Sequence, residues 1–209
     1  MPEAADILAG LSGIANQWRG LALIWHGYFA ILLCLLWLGK RSSRRLMGVL
    51  LALPLLSVSV LAWHDHNPFN GTLFALIGMV AALVLLITPP ARVRLSAGWP
   101  AMAGVVLMAF GWVYPHFVIT NSWAVYLYAA PLGLVPCPTL AMVIGVGLLL
   151  DGMGSRPWLW WLALWGGFYG LFGALRLGVG LDWVLLAGAA LLAAHNVITG
   201  PRSGVTAPP

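Results

Sequence analysis

The chain of 209 residues is 62% hydrophobic and 7% charged, with a mean hydropathy of +0.96. That leaves too little polar surface to coat a water-soluble globule and assigns the protein to a lipid bilayer. The formal net charge of +5 sits in short clusters between apolar runs and forms no extended basic patch, which excludes nucleic acid as a partner.

The opening stretch, MPEAADILAGLSGIANQWRG, carries Glu3 and Asp6 where a cleavable signal would carry basic residues, so no leader is expected to be removed. Apolar runs follow at residues 21–39, 46–63, 71–88, 99–116, 138–150, 158–175 and 179–198. Each predicts a membrane helix, seven in all. Between the fourth and fifth runs, FVITNSWAVYLYAAPLGLVPC is apolar but interrupted by Asn121, Pro131 and Pro136, too broken for a continuous helix. Two dispositions stay open for it: a re-entrant segment bordering a cavity, or a surface-lying segment anchored by Trp123, Tyr126 and Tyr128.

The basic residues select a topology. If the broken segment returns to the side it left, Lys40, Arg41, Arg44, Arg45, Arg92, Arg94, Arg156 and Arg202 share one face, and only Arg19 and Arg176 lie on the other. Cytoplasmic loops carry the excess of Lys and Arg. The expected fold class is therefore an all-α integral membrane protein with about seven transmembrane helices. Its N-terminus is periplasmic, its C-terminus cytoplasmic, and a broken or re-entrant segment precedes the fifth helix. Residues 1–200 form a single transmembrane domain in the bacterial inner membrane, and 201–209 a disordered cytoplasmic tail. Gly166, Gly170 and Ala174 mark a close-packing seam, either internal or between subunits.

In this topology the reactive side chains gather on the periplasmic side. His64, Asp65 and His66, in LAWHDHNPFNG, lie in the loop after the second span, and the turn formers in NPFNG are expected to unwind the chain there. His116 ends the fourth span, Cys137 precedes the fifth and Asp182 starts the seventh. His26 lies about two turns into the first, roughly 8–10 Å along its axis. His195 is near the inner end of the last span, where with Asn196 it suits a C-terminal cap. Imidazole, carboxylate and thiolate together suit zinc or copper, so His64, Asp65, His66, His116 and Cys137 are candidate metal ligands. Solvated loop residues are the plain alternative, since no HExxH or CxxC spacing is present.

Cys137 lies between two prolines at a helix start, where the positive end of the dipole favours a thiolate; a small apolar filler is the other reading. With Cys34 mid-span, no disulfide framework is implied. The only lysine, Lys40, lies in a loop, which excludes a retinal Schiff base within a helix, and the absence of CxxCH excludes covalent haem. A haem b held by His26 and His116 remains compatible with the pattern. No acid lies mid-span, which argues against a proton-driven transporter.

Two stretches carry a family resemblance. GLVPCPTLAMVIGVGLLL, residues 133–150, resembles the G-L-P-C-P-T segment and following helix of an uncharacterised bacterial multi-pass membrane-protein family, and WHDHNPFNGTLFALIGM, residues 63–79, resembles that family's histidine-bearing turn. The resemblance implies a membrane bundle and singles out Pro136, Cys137, Pro138 and Thr139, with His64, Asn67 and Pro68. Val135 and His66 depart from the pattern. It implies no reaction. The functional expectation is a periplasm-facing metal-ion or metal-cofactor site for transfer or redox chemistry. The alternative is a non-catalytic accessory subunit of a larger respiratory or transport complex.

Overall fold

Each of the seven apolar runs falls on a helix in the computed structural model, which describes residues 3–40 and 42–199. In chain order the helices are α1 (Ala4–Gln17), α2 (Arg19–Trp37), α3 (Arg44–His64), α4 (Pro68–Ile87), α5 (Trp99–Val113), the single turn α6 (Tyr126–Ala129), α7 (Pro136–Leu149), α8 (Arg156–Leu171) and α9 (Asp182–Ile198). Among the described residues there is no strand, only an isolated bridge between Ser43 and Arg92. Four segments are long and apolar enough to cross a membrane: α2, α3, α4 and α8 with the π turn that extends it to Arg176.

Contacts such as Ser43 with Arg92, Arg44 with Gly154 and Arg156 with Asn196 gather the basic turns together, so the bundle has two chemically distinct ends. Lys40, Arg44, Arg45, Arg92, Arg94 and Arg156 lie at one, here the basic end. Arg19 and Arg176 lie at the other, with the start of α7, the start of α9 and the ends of α3 and α5. Arg41, Arg202 and the expected tail at 201–209 fall outside the described residues.

α7 is the axis of the bundle. Its residues from Pro138 to Leu148 are all buried, with Cys137 and Leu149 near its two ends partly so, as expected of a helix apolar on every side. α3, α5, α8 and α9 pack around it, and α4 closes against α3 and α8. α2 is held on the outside by side-chain hydrogen bonds to α3, from Trp25 Nε1 to Ser57 Oγ (3.0 Å) and from Tyr28 OH to Leu50 O (2.8 Å). The small-residue seam is internal. A Cβ on Gly170 would come within 2.6 Å of Leu186 N in α9, and Gly166 faces Ile144 and Ala189, so these glycines are used within the chain rather than between chains.

Three local readings change. The first segment, unassigned as an element in the sequence, is helix α1, with Leu11, Ile14 and Ala15 on its buried side. The chain leaves the helix after His64, as expected, but NPFNG itself enters the next one: Asn67 caps α4 by accepting from Asn70 N (3.1 Å), Pro68 occupies its first turn, and the helix starts ahead of the apolar run. Only Asp65 to Asn67 separate α3 from α4. The broken segment divides in two. Trp123, Leu127 and Tyr128 are exposed, whereas residues 129–136 are all buried and lead directly into α7.

Candidate thiol–carboxylate site

Cys137 enters the site because α7 begins one residue before it. Val135 is the N-cap and Pro136 the first helical residue, which places the thiol in the first turn, two positions further into the helix than the sequence suggested. Asp182 begins α9 and is 1% exposed, so its carboxylate must find donors inside the protein. It finds two. Cys137 Sγ donates to Oδ2 at 3.2 Å and Tyr114 OH donates to Oδ1 at 2.7 Å.

The neighbouring backbone is shaped to admit this arrangement. On α5, a Cβ at Gly111 would come within 2.6 Å of Pro138 O; its absence lets α5 approach the start of α7 and sets Tyr114, three residues on, beside Asp182. On the other side α8 ends in a π turn, Phe172–Arg176, and a Cβ on Gly173 would land on Asp182 Oδ2. The π turn and its glycine thus leave the space that the carboxylate fills.

Next to the pair is a cavity of about 20 Å³, lined by Cys137 and Asp182, by Asn70 and Tyr169, and by Leu11 and Phe117. That is room for about one water molecule. Tyr169 OH donates to Asn70 Oδ1 at 2.9 Å, so α8 and α4 meet there through buried polar groups. Helix α1 covers the end. Ser12 Oγ and Asn16 Nδ2 both donate to Phe117 O (3.0 and 2.8 Å), and Asn16 Oδ1 accepts from Ile119 N (2.9 Å).

The histidines of the expected ligand set do not join Cys137. His64 is exposed and stands edge-on to Trp18, with ring centroids 5.6 Å apart; His66 is exposed at a positive φ of 53°. Asp65 turns toward α1, near Gly10, and lines a smaller cavity with Asn67 and Asn70. His116 is half-buried, its ring 4.3 Å from that of Phe117. Among the described residues no three His, Cys, Asp or Glu side chains gather as a metal-binding group.

His26 is buried with Nδ1 2.8 Å from Ala22 O and Nε2 3.0 Å from Trp112 O, so both ring nitrogens face main-chain carbonyls. His195 does lie in the last turn of α9, yet its Nε2 faces Asp151 at 3.4 Å.

The partners that sequence reasoning left out of the site are Asp182, Tyr114, Asn70 and Tyr169. Two of them had a signal: Asp182 is an acid within the first turn of an apolar run, and Tyr114 stands just before the proline near the end of another. The thiolate expected from the helix dipole meets an opposing group, because the carboxylate takes the thiol's proton in a hydrogen bond and disfavours a second negative charge. A thiol, a carboxylate and the Tyr169 phenol around a water-sized space, with the Tyr114 phenol on the carboxylate's other oxygen, can exchange protons and can hold a cation between sulfur and oxygen. No protein-family model matches the chain, and no curated protein and no solved structure matches it.

Proposed function

We propose that the chain is a seven-span protein of the bacterial inner membrane, N-terminus periplasmic and C-terminus cytoplasmic, that binds a zinc or copper ion on its periplasmic side for transfer or redox chemistry. Cys137 and Asp182 are the ligand pair. The basic end of the bundle faces the cytoplasm in this reading, following the bias of Lys and Arg. α5, α7 and α9 have 15, 14 and 17 residues. At 1.5 Å per residue these reach about 21–26 Å, short of a hydrocarbon core of about 30 Å, and the irregular segments at their ends complete the crossing. The buried stretch at 129–136 does so for α7.

The observation that carries the metal reading is the 3.2 Å separation of Cys137 Sγ from Asp182 Oδ2 beside the cavity. A tetrahedral ion with bonds of about 2.3 Å to sulfur and about 2.1 Å to oxygen holds those two atoms about 3.6 Å apart, so an opening of about 0.4 Å converts the hydrogen bond into a chelate. The thiol proton leaves to water as the metal–sulfur bond forms, so uptake strengthens as pH rises. Two protein ligands leave the shell incomplete, and the cavity beside them has room for about one water. That suits an ion in transit better than a structural zinc with four protein ligands.

The test is elemental mass spectrometry on protein taken from native membranes in mild detergent, with no added metal and no nickel resin. About one zinc or copper per chain is expected, lost in Cys137→Ser and in Asp182→Asn. A wild-type chain free of transition metal overturns the reading, and its co-purification with fixed partners would favour the accessory subunit instead.

A further inference from the structure

Two cavities adjoin beneath α1, at the end of the bundle away from the basic residues. The larger, about 20 Å³, is the one beside Cys137 and Asp182. The smaller, about 10 Å³, is lined by Asp65 and Asn67, from the turn between α3 and α4, and by Asn70. Leu11, Asn70 and Pro136 line both, so the two spaces share a wall. Each is about the size of one water molecule.

Asn70 is the polar member of that wall and is only 7% exposed. Its Oδ1 accepts from Tyr169 OH at 2.9 Å, and among the described residues no acceptor meets its Nδ2. A buried amide donor is normally satisfied, and water in these spaces supplies the acceptor that the protein does not. Asp65 is the complementary group at the outer end. It is half-buried, with Oδ2 turned toward Gly10 of α1, and among the described residues no donor meets its carboxylate. Elsewhere the larger cavity is walled by side chains such as Phe117, Phe172 and Leu177, which offer water no bond. Polar contacts therefore lead one way, from Cys137 and Asp182 past Asn70 to Asp65.

We infer that these two spaces conduct protons between the Asp65 carboxylate and the pair of Cys137 and Asp182, through one water in each. Cys137 Sγ passes its proton to the inner water, which gives one of its own to the outer water and so to Asp65. Asp65 releases it to solvent, and a proton returning by the same steps restores the thiol. Asn70 Nδ2 holds the water in place, because transfer needs donor and acceptor within hydrogen-bond reach or one water apart. The path carries out the proton that a metal displaces from Cys137, and that use rests on the metal reading above; the path itself does not.

The test follows the S–H stretching band of Cys137 by infrared spectroscopy as metal-free Cys34→Ser protein in detergent is moved from ordinary to heavy water. Asp65→Asn keeps the shape of the side chain but cannot take up the proton. It is expected to slow the replacement of S–H by S–D about tenfold or more, and Asp65→Glu to restore the rate. Gly10→Ala, whose methyl would stand 3.1 Å from Asp65 Oδ2, is expected to slow exchange as well and decides the matter should Asp65→Asn fail to fold. Exchange at the parent rate in either Asp65→Asn or Gly10→Ala overturns the proposal, as does a parent thiol still unexchanged after hours. No metal is present in this test, so a chain unable to bind zinc or copper loses the metal reading alone, and one that binds metal but exchanges without Asp65 loses the path alone.

Discussion

Asp182 Oδ2 accepts the thiol of Cys137 at 3.2 Å across 45 residues of sequence, while Oδ1 of the same carboxylate accepts Tyr114 at 2.7 Å. The carboxylate therefore both orients the sulfur and opposes its ionisation. In metal-free protein carrying Cys34→Ser, so that Cys137 is the only thiol, Asp182→Asn is expected to raise the rate of alkylation by a maleimide roughly tenfold at neutral pH. An unchanged or slower rate would mean that the carboxylate does not govern the thiol.

Gly173 leaves the room in which that carboxylate sits, because its Cβ would coincide with Asp182 Oδ2. Gly173→Ala is expected to cost about 1–3 kcal/mol, the usual range for overpacking, and to abolish metal retention. Gly167, in the same helix, has nothing within 4 Å of the equivalent Cβ position. Gly167→Ala should be neutral or stabilising by up to about 1 kcal/mol through helix propensity. Thermal unfolding of the two variants in one detergent makes the comparison, and equal losses would remove the argument from space.

Helix α1 is tied over the site by Asn16, whose amide both donates to Phe117 O and accepts from Ile119 N. Asn16→Ala removes both bonds, each worth about 0.5–1.5 kcal/mol. If α1 controls entry to the cavity, alkylation of Cys137 should speed up by about threefold or more while the unfolding temperature drops only modestly. A drop in stability with no change in labelling would make α1 a structural brace alone.

The helices were legible because a run of apolar residues is a local signal, and each of the seven runs coincides with a helix. α1 escaped that search because its apolar residues recur on one side, at Ile7, Leu11 and Ile14, instead of forming a continuous run. The metal candidates fared differently. Grouping His64, Asp65, His66, His116 and Cys137 by their shared end of the bundle was the limit of what topology could give, and an end is wider than a coordination sphere. Which side chains touch depends on helix rotation and close approach. Gly111 sets Tyr114 toward Asp182, and the π turn at Gly173 makes space for the carboxylate. Neither rotation nor a π turn has a spacing that can be read from sequence alone. His64 and His66 drew attention through proximity in sequence, yet the turn between α3 and α4 leaves both exposed.

The most direct measurement is X-ray absorption at the metal edge, on purified protein loaded with one equivalent of zinc or copper(I). The proposed site predicts a single sulfur scatterer, at about 2.3 Å for zinc, with nitrogen or oxygen completing the shell, and loss of the sulfur in Cys137→Ser. A shell of nitrogen and oxygen only, unaltered by Cys137→Ser or Asp182→Asn, would place the ion elsewhere and contradict the assignment of this pair as the site.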